Sequence, residues 1–139
     1  MKKFANAIIV TVMLVLCFAL SACGTKYVSN YSAKIMTTIN SPTEASVSFD
    51  AFSGTYVIKF RNTGDDKASI TYNATLKEGN IKVYYDFNDE KLDLFEIGND
   101  GSVEGKTEAF TGNKTIYIVI ESDGKCNAGS FSFTLEKSE

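Results

Sequence analysis

From residue 45 onward, apolar side chains recur at almost every second position, and a period of two is the signature of strands half-buried against a core. Residues 67–76 are the clearest case, with Ala68, Ile70, Tyr72, Ala74 and Leu76 alternating with Ser69, Thr71, Asn73 and Thr75. Residues 81–87 set Ile81, Val83, Tyr85 and Phe87 against Lys82, Tyr84 and Asp86, and residues 130–135 set Phe131, Phe133 and Leu135 against Ser132 and Thr134. Residues 45–51 and 55–61 read as two separate strands, the second with Tyr56, Ile58 and Phe60 opposite Val57, Lys59 and Arg61. Residues 92–97, a weaker 103–110 and a doubly apolar 115–121 complete the set. Between them stand Asn62-Thr63-Gly64-Asp65-Asp66, Lys77-Glu78-Gly79-Asn80, Gly98-Asn99-Asp100-Gly101 and Asp123-Gly124, where Gly and Asn tolerate the positive φ of tight turns. The expected fold is all-β: an antiparallel β-sandwich or jelly roll of seven to eight strands.

The N-terminus obeys a different rule. Met1-Lys2-Lys3 is positive, residues 4–20 are almost wholly apolar, and the run ends in Leu20-Ser21-Ala22-Cys23-Gly24. A basic start, an apolar core and small residues at its end make a signal peptide over residues 1–22. The final segment resembles the lipobox of bacterial lipoproteins at every position. That resemblance implies cleavage after Ala22, a thioether-linked diacylglycerol on Cys23, and a new amino terminus open to acylation with palmitate or a similar chain. It implies a cell-membrane location on the extracytoplasmic face, with the outer membrane open in a diderm because Gly24 is not the aspartate of inner-membrane retention. An uncleaved membrane anchor is the plain alternative.

Residues 23–139 then carry 12 basic and 17 acidic side chains, a charge of −5. Residues 23–44 read as the lipidated cysteine and a polar tether, with a possible first strand over residues 32–39, and residues 45–139 as the sandwich domain. Cys126 is the one thiol left free of processing, in the apparent turn Ser122-Asp123-Gly124-Lys125-Cys126-Asn127. Lys125 beside it is a potential activator, but an inert thiol is the preferred reading.

The chain has no histidine, which removes Ser-His-Asp and Cys-His nucleophiles and imidazole metal sites. The acidic balance gives no footprint for nucleic acid. Carboxylate pairs are the acid-base route that remains, and seventeen acidic residues make some pair inevitable by chance. A carboxylate-dependent hydrolase is therefore the least favoured reading, and no enzyme is expected. Two clusters are candidates for binding. Asp86, Asn88, Asp89, Glu90 and Asp93 crowd hard oxygen ligands at one turn, as Ca²⁺ requires, although solvated charge explains such a turn equally simply. Tyr84 with Lys82 and Asp86, and Tyr117 on its own strand, project from faces opposite the main apolar sets. If the two strands are neighbours, these residues form an aromatic platform for a sugar ring, unless the core or the tether covers them.

Lys91-Leu92-Asp93-Leu94-Phe95, Lys114-Thr115-Ile116-Tyr117-Ile118-Val119-Ile120 and Gly129-Ser130-Phe131-Ser132-Phe133-Thr134-Leu135 together resemble the pattern of bacterial pre-peptidase C-terminal domains. That family implies a small jelly roll that helps secreted enzymes adhere to substrates and in some members binds calcium. The expected function is a lipid-anchored, non-catalytic binding module of the bacterial cell envelope, its ligand a glycan, a peptide or a protein. The alternative is a structural or accessory subunit that docks onto an envelope protein through a sheet edge.

Overall fold

One strand of eighteen residues, Glu44–Arg61, runs where the alternation suggested two. Its buried positions change phase midway: Ala45, Val47 and Phe49 are followed by Phe52, Tyr56, Ile58 and Phe60. The phase change marks a corner. Gly54 adopts φ +114°, and a Cβ there would lie 2.3 Å from the Asn30 carbonyl oxygen, so the bend needs glycine on both counts.

The computed structural model describes residues 27–62, 67–87, 90–111 and 115–138. The signal peptide, the lipobox and Cys23, read from the sequence, lie outside them. The strands are β1 (Asn30–Lys34), β2 (Thr37–Asn40), β3 (Glu44–Arg61), β4 (Lys67–Glu78), β5 (Ile81–Phe87), β6 (Glu90–Ile97), β7 (Gly101–Lys106), β8 (Phe110–Thr111), β9 (Thr115–Ser122) and β10 (Cys126–Ser138).

The registers show how the sandwich is made. β9 pairs with residues 55–61 of β3, and β10 with residues 44–52, so the two together accompany β3 along its length. β5 then lies against β9 and β4 against β10, while β6 pairs with β5 and β7 with β4. Four double-length ribbons thus lie side by side and fold over a common line through Gly54, Gly79, the Gly98–Gly101 turn and Gly124. One layer is β6-β5-β9-β3 and the other β7-β4-β10-β3, with all pairings antiparallel. This is the sandwich or jelly roll that the alternation predicts.

The fold line has its own hydrogen bonds where the ladders are interrupted. Gly54 N–H donates to Ser122 Oγ (2.8 Å), Gly79 N–H to Asn99 Oδ1 (2.7 Å), Asp100 N–H to the Lys77 carbonyl and Asp123 N–H to the Asn80 carbonyl (both 2.9 Å). Cys126 is not in a turn. It opens β10, fully buried, with its thiol 3.6 Å from the Asn80 carbonyl oxygen, and burial pushes its pKa up.

Between the layers, Phe95 of β6 stacks on Tyr72 of β4 at 5.0 Å and on Phe131 and Phe133 of β10 at 6.3 Å. Gly129 leaves the space that the Phe49 ring fills, since a Cβ there would meet its Cζ at 2.4 Å. Burying a side chain of this size contributes roughly 1.5–3 kcal/mol each. The tether region joins this body: β1 and β2 both pair with β3, separated by Ile35 and Met36. The weak 103–110 stretch divides into the end of β7 and the start of β8.

Candidate functional site

The outward face of the β6-β5-β9-β3 layer is a grid set by register. Directly paired residues share a face. One row therefore reads Glu96, Lys82, Glu121, Thr55; the next Asp93, Tyr84, Val119, Val57; the third Lys91, Asp86, Tyr117, Lys59. Lys82, Tyr84, Asp86 and Tyr117 do share one face of neighbouring strands. Tyr84 and Tyr117 stand diagonally rather than opposite, because Tyr84 pairs with Val119 and Asp86 with Tyr117.

Three neighbours of this group arrive from outside the two strands. Tyr27, just ahead of β1, lies over the third row: its ring centroid is 5.3 Å from that of Tyr117, inclined at 57°, and its hydroxyl donates to Asp86 Oδ2 at 2.6 Å. Lys59 Nζ of β3 stands 5.8 Å from the Tyr117 centroid, and Lys91 Nζ of β6 stands 4.0 Å from the Tyr84 centroid. Lys82 approaches the same Tyr84 ring at 5.1 Å, and its Nζ is 3.8 Å from Asp93 Oδ1. Burial and then a hydrogen bond with Glu121 hold the Tyr84 hydroxyl above its ordinary pKa. Tyr84 is therefore an ammonium-covered ring, whereas Tyr117 is one wall of an open aromatic corner.

Two clefts meet beside that corner. One, of about 440 Å³, is bounded by Tyr27, Ser29, Asn40, Val57 and Lys59; the other, of about 500 Å³, by Asn40, Ser41, Lys59, Arg61, Thr115 and Tyr117. They share Asn40 and Lys59 and form one trough between the β2 end and the outer face of β3. Asn40 is held in place by its amide, which donates to the Tyr56 hydroxyl at 3.2 Å. Lys59 and Arg61 project from the same side of β3, and Arg61 is the chain's one arginine. Rings, amide, hydroxyl and cations converging on a rigid sheet suit a polyhydroxylated or anionic ligand.

Lys59 and Arg61 were visible in the sequence as the outward set of their strand. Tyr27 and Asn40 were not, because nothing local links them to residues on β5 and β9. Three of the candidate calcium ligands, Asp86, Glu90 and Asp93, lie among the described residues. Asp86 is buried under Tyr27, Asp93 pairs across with Tyr84, and Glu90 pairs with Phe87 and so faces the other way from Asp86. Asn88 and Asp89 lie outside the described residues. Among the described residues no three His, Cys, Asp or Glu side chains gather as metal ligands.

Fold and surface together define a jelly-roll β-sandwich with a cleft on the outer face of one layer. No family model and no curated protein matches the chain. Solved structures do. TmCBM61, solved in complex with beta-1,4-galactotriose, is 13% identical, with 78% of this chain and 88% of that one covered at a TM-score of 0.51. A CBM4 structure is 11% identical over 81% of each chain with a TM-score of 0.45. The Aeromonas hydrophila periplasmic lysozyme inhibitor PliG is 10% identical, covering 68% of this chain and 88% of its own, with a TM-score of 0.42. At such identities the first of these shows a shared fold.

Proposed function

We propose that the chain is a lipid-anchored, non-catalytic module of the bacterial cell envelope that binds a glycan along the trough from Tyr27 to Arg61. The observation that carries this is the Tyr27–Tyr117 corner beside Asn40 and Lys59, with apolar ring faces and polar rim groups fixed on one sheet. A sugar ring presents the matching surface, apolar on its faces and hydroxylated at its edge. The galactotriose held by TmCBM61 on a shared fold supports the class of ligand. Leu20-Ser21-Ala22-Cys23 supports the anchor, and several acyl chains on Cys23 suffice for stable membrane attachment.

The test is glycan binding by the detergent-solubilised protein to an oligosaccharide panel that includes beta-1,4-galactotriose. Binding that drops at least about tenfold in Tyr117→Ala, with the melting temperature unchanged, is the expected result. A panel with no binder, or binding indifferent to Tyr117→Ala and Lys59→Ala, refutes the assignment.

A further inference from the structure

Among the described residues the strongly exposed large hydrophobic side chains are Val28 (69%), Ile35 (77%) and Ile39 (61%), with Tyr31 less so at 44%. All lie within residues 28–39. That stretch contains β1 and β2, which pair with β3 and, among the described residues, with no other strand. The Tyr31 exposure has an internal reason, since its ring packs on Phe52 at 5.9 Å and Tyr56 at 5.4 Å. Ile35 has none. A β-branched residue at φ 50° is strained, and an isoleucine left in water at the tip of the β1–β2 turn gains nothing from the fold around it.

Charge is sorted in the same way. Residues 24–43 contain Lys26 and Lys34 and no acidic side chain, whereas all seventeen Asp and Glu follow residue 43. Covalent reach supplies the occupant. Cys23 is four residues ahead of Tyr27, and four residues span at most about 14 Å. A lipid on Cys23 therefore holds Tyr27, at the start of this edge, within about 14 Å of its attachment point at the bilayer.

We propose that the β1–β2 edge docks on an anionic bilayer surface, with Val28, Ile35 and Ile39 in the headgroup region and Lys34 against lipid phosphate. The inference rests on the Cys23 anchor, and it shares Val28 with the rim of the cleft at Tyr27. Apolar side chains beside cations are the composition that interfacial binding uses. Docking also sets orientation: the trough at Tyr27, beside the same edge, opens next to the membrane and not away from it.

The test takes the lipidated protein purified from membranes into protein-free vesicles of phosphatidylglycerol or of phosphatidylcholine, read by amide hydrogen exchange. Exchange across residues 30–40 slows by about tenfold or more in phosphatidylglycerol relative to detergent. The double variant Ile35→Ser and Ile39→Ser, which removes two solvent-exposed side chains, returns it to the detergent rate. Equal rates in vesicles and detergent overturn the proposal, and equal slowing in both lipids overturns its anionic requirement. Slowing in native membranes alone assigns the edge to a partner protein and overturns it as well. Intact mass separates the two levels. A product without the lipid adduct removes the anchor and this docking together, whereas a lipidated product with an unprotected edge removes the docking alone.

Discussion

The Tyr27 hydroxyl donates to Asp86 Oδ2 at 2.6 Å, joining the segment ahead of β1 to the end of β5 across 59 residues of sequence. Asp86 is buried on what is otherwise an outward face, so this bond serves both to satisfy a carboxylate and to hold the Tyr27 ring over Tyr117. Tyr27→Phe keeps the ring and deletes the donor. It should lower unfolding free energy by about 1–3 kcal/mol, measured by denaturant titration, because a buried acceptor loses a charged hydrogen bond. Tyr27→Ala should add a loss of glycan affinity that Tyr27→Phe largely spares, and equal binding defects in the two variants would count against the aromatic corner.

The fold line is intolerant at Gly79. Its φ is +112°, and a Cβ would sit 2.5 Å from Cys126 Sγ and 2.9 Å from Cys126 Cα. Gly79→Ala should cost about 2–4 kcal/mol, measured by denaturant titration. Cys126→Ala in the same chain should recover only part of that, since the clash with the backbone of residue 126 and the positive-φ strain persist. Gly124→Ala is the comparison: φ is +78° with nothing within 4 Å, so only the conformational penalty of about 1–2 kcal/mol applies. Equal losses at the two sites would show that crowding against Cys126 is immaterial.

Cys126 should resist alkylation in the native state and react on unfolding. Its pKa is raised by burial, opposed by the hydrogen bond with the Asn80 backbone and reinforced by Asp123. A folded pKa above the ordinary 9.0 means that the unfolded chain releases the proton first as pH rises. Its contribution to stability is therefore complete below pH 9 and is lost above it. Iodoacetamide labelling at pH 8, with and without denaturant, checks the first point. Rapid labelling of the folded protein would contradict it.

Glu136 acts at the other end of the scale. Its carboxyl lies below the ordinary 4.5 chiefly because of the hydrogen bond and charge of Lys106, whose Nζ stands 3.1 Å away. A depressed folded pKa gives stability that is present above pH 4.5 and lost as pH falls through the folded value. Glu136→Gln, which mimics the protonated carboxyl, should flatten the acid limb of the stability profile by lowering the neutral plateau while leaving the low-pH end unchanged. The change should be small because the pair is solvent-exposed and screened. A profile that keeps its wild-type slope would place the acid sensitivity elsewhere.

The alternation of Ala68 to Leu76 and of Phe131 to Leu135 made layers, core faces and fold class legible, because side-chain period in a strand is a local property. Corners were less legible. The phase break between Phe49 and Tyr56 looked like the end of one strand and the start of another, while the chain stays extended and only turns through Gly54. Cys126 looked like a turn residue for the same reason: Asp123-Gly124 precedes it, but the turn is a corner and the thiol points inward. On the candidate surface, Lys82, Tyr84 and Asp86 were readable as one face of β5. Lys91 above Tyr84 and Tyr27 above Tyr117 depend on pairings between distant segments, which no local pattern encodes.

β10 lies between β3 and β4 at the centre of its layer, yet it follows every other described strand in the chain. Until Cys126–Ser138 has left the ribosome, β3 and β4 have no strand to join them and the second layer cannot close. Closure of that layer is thus timed by the arrival of β10 and not by the strands that precede it.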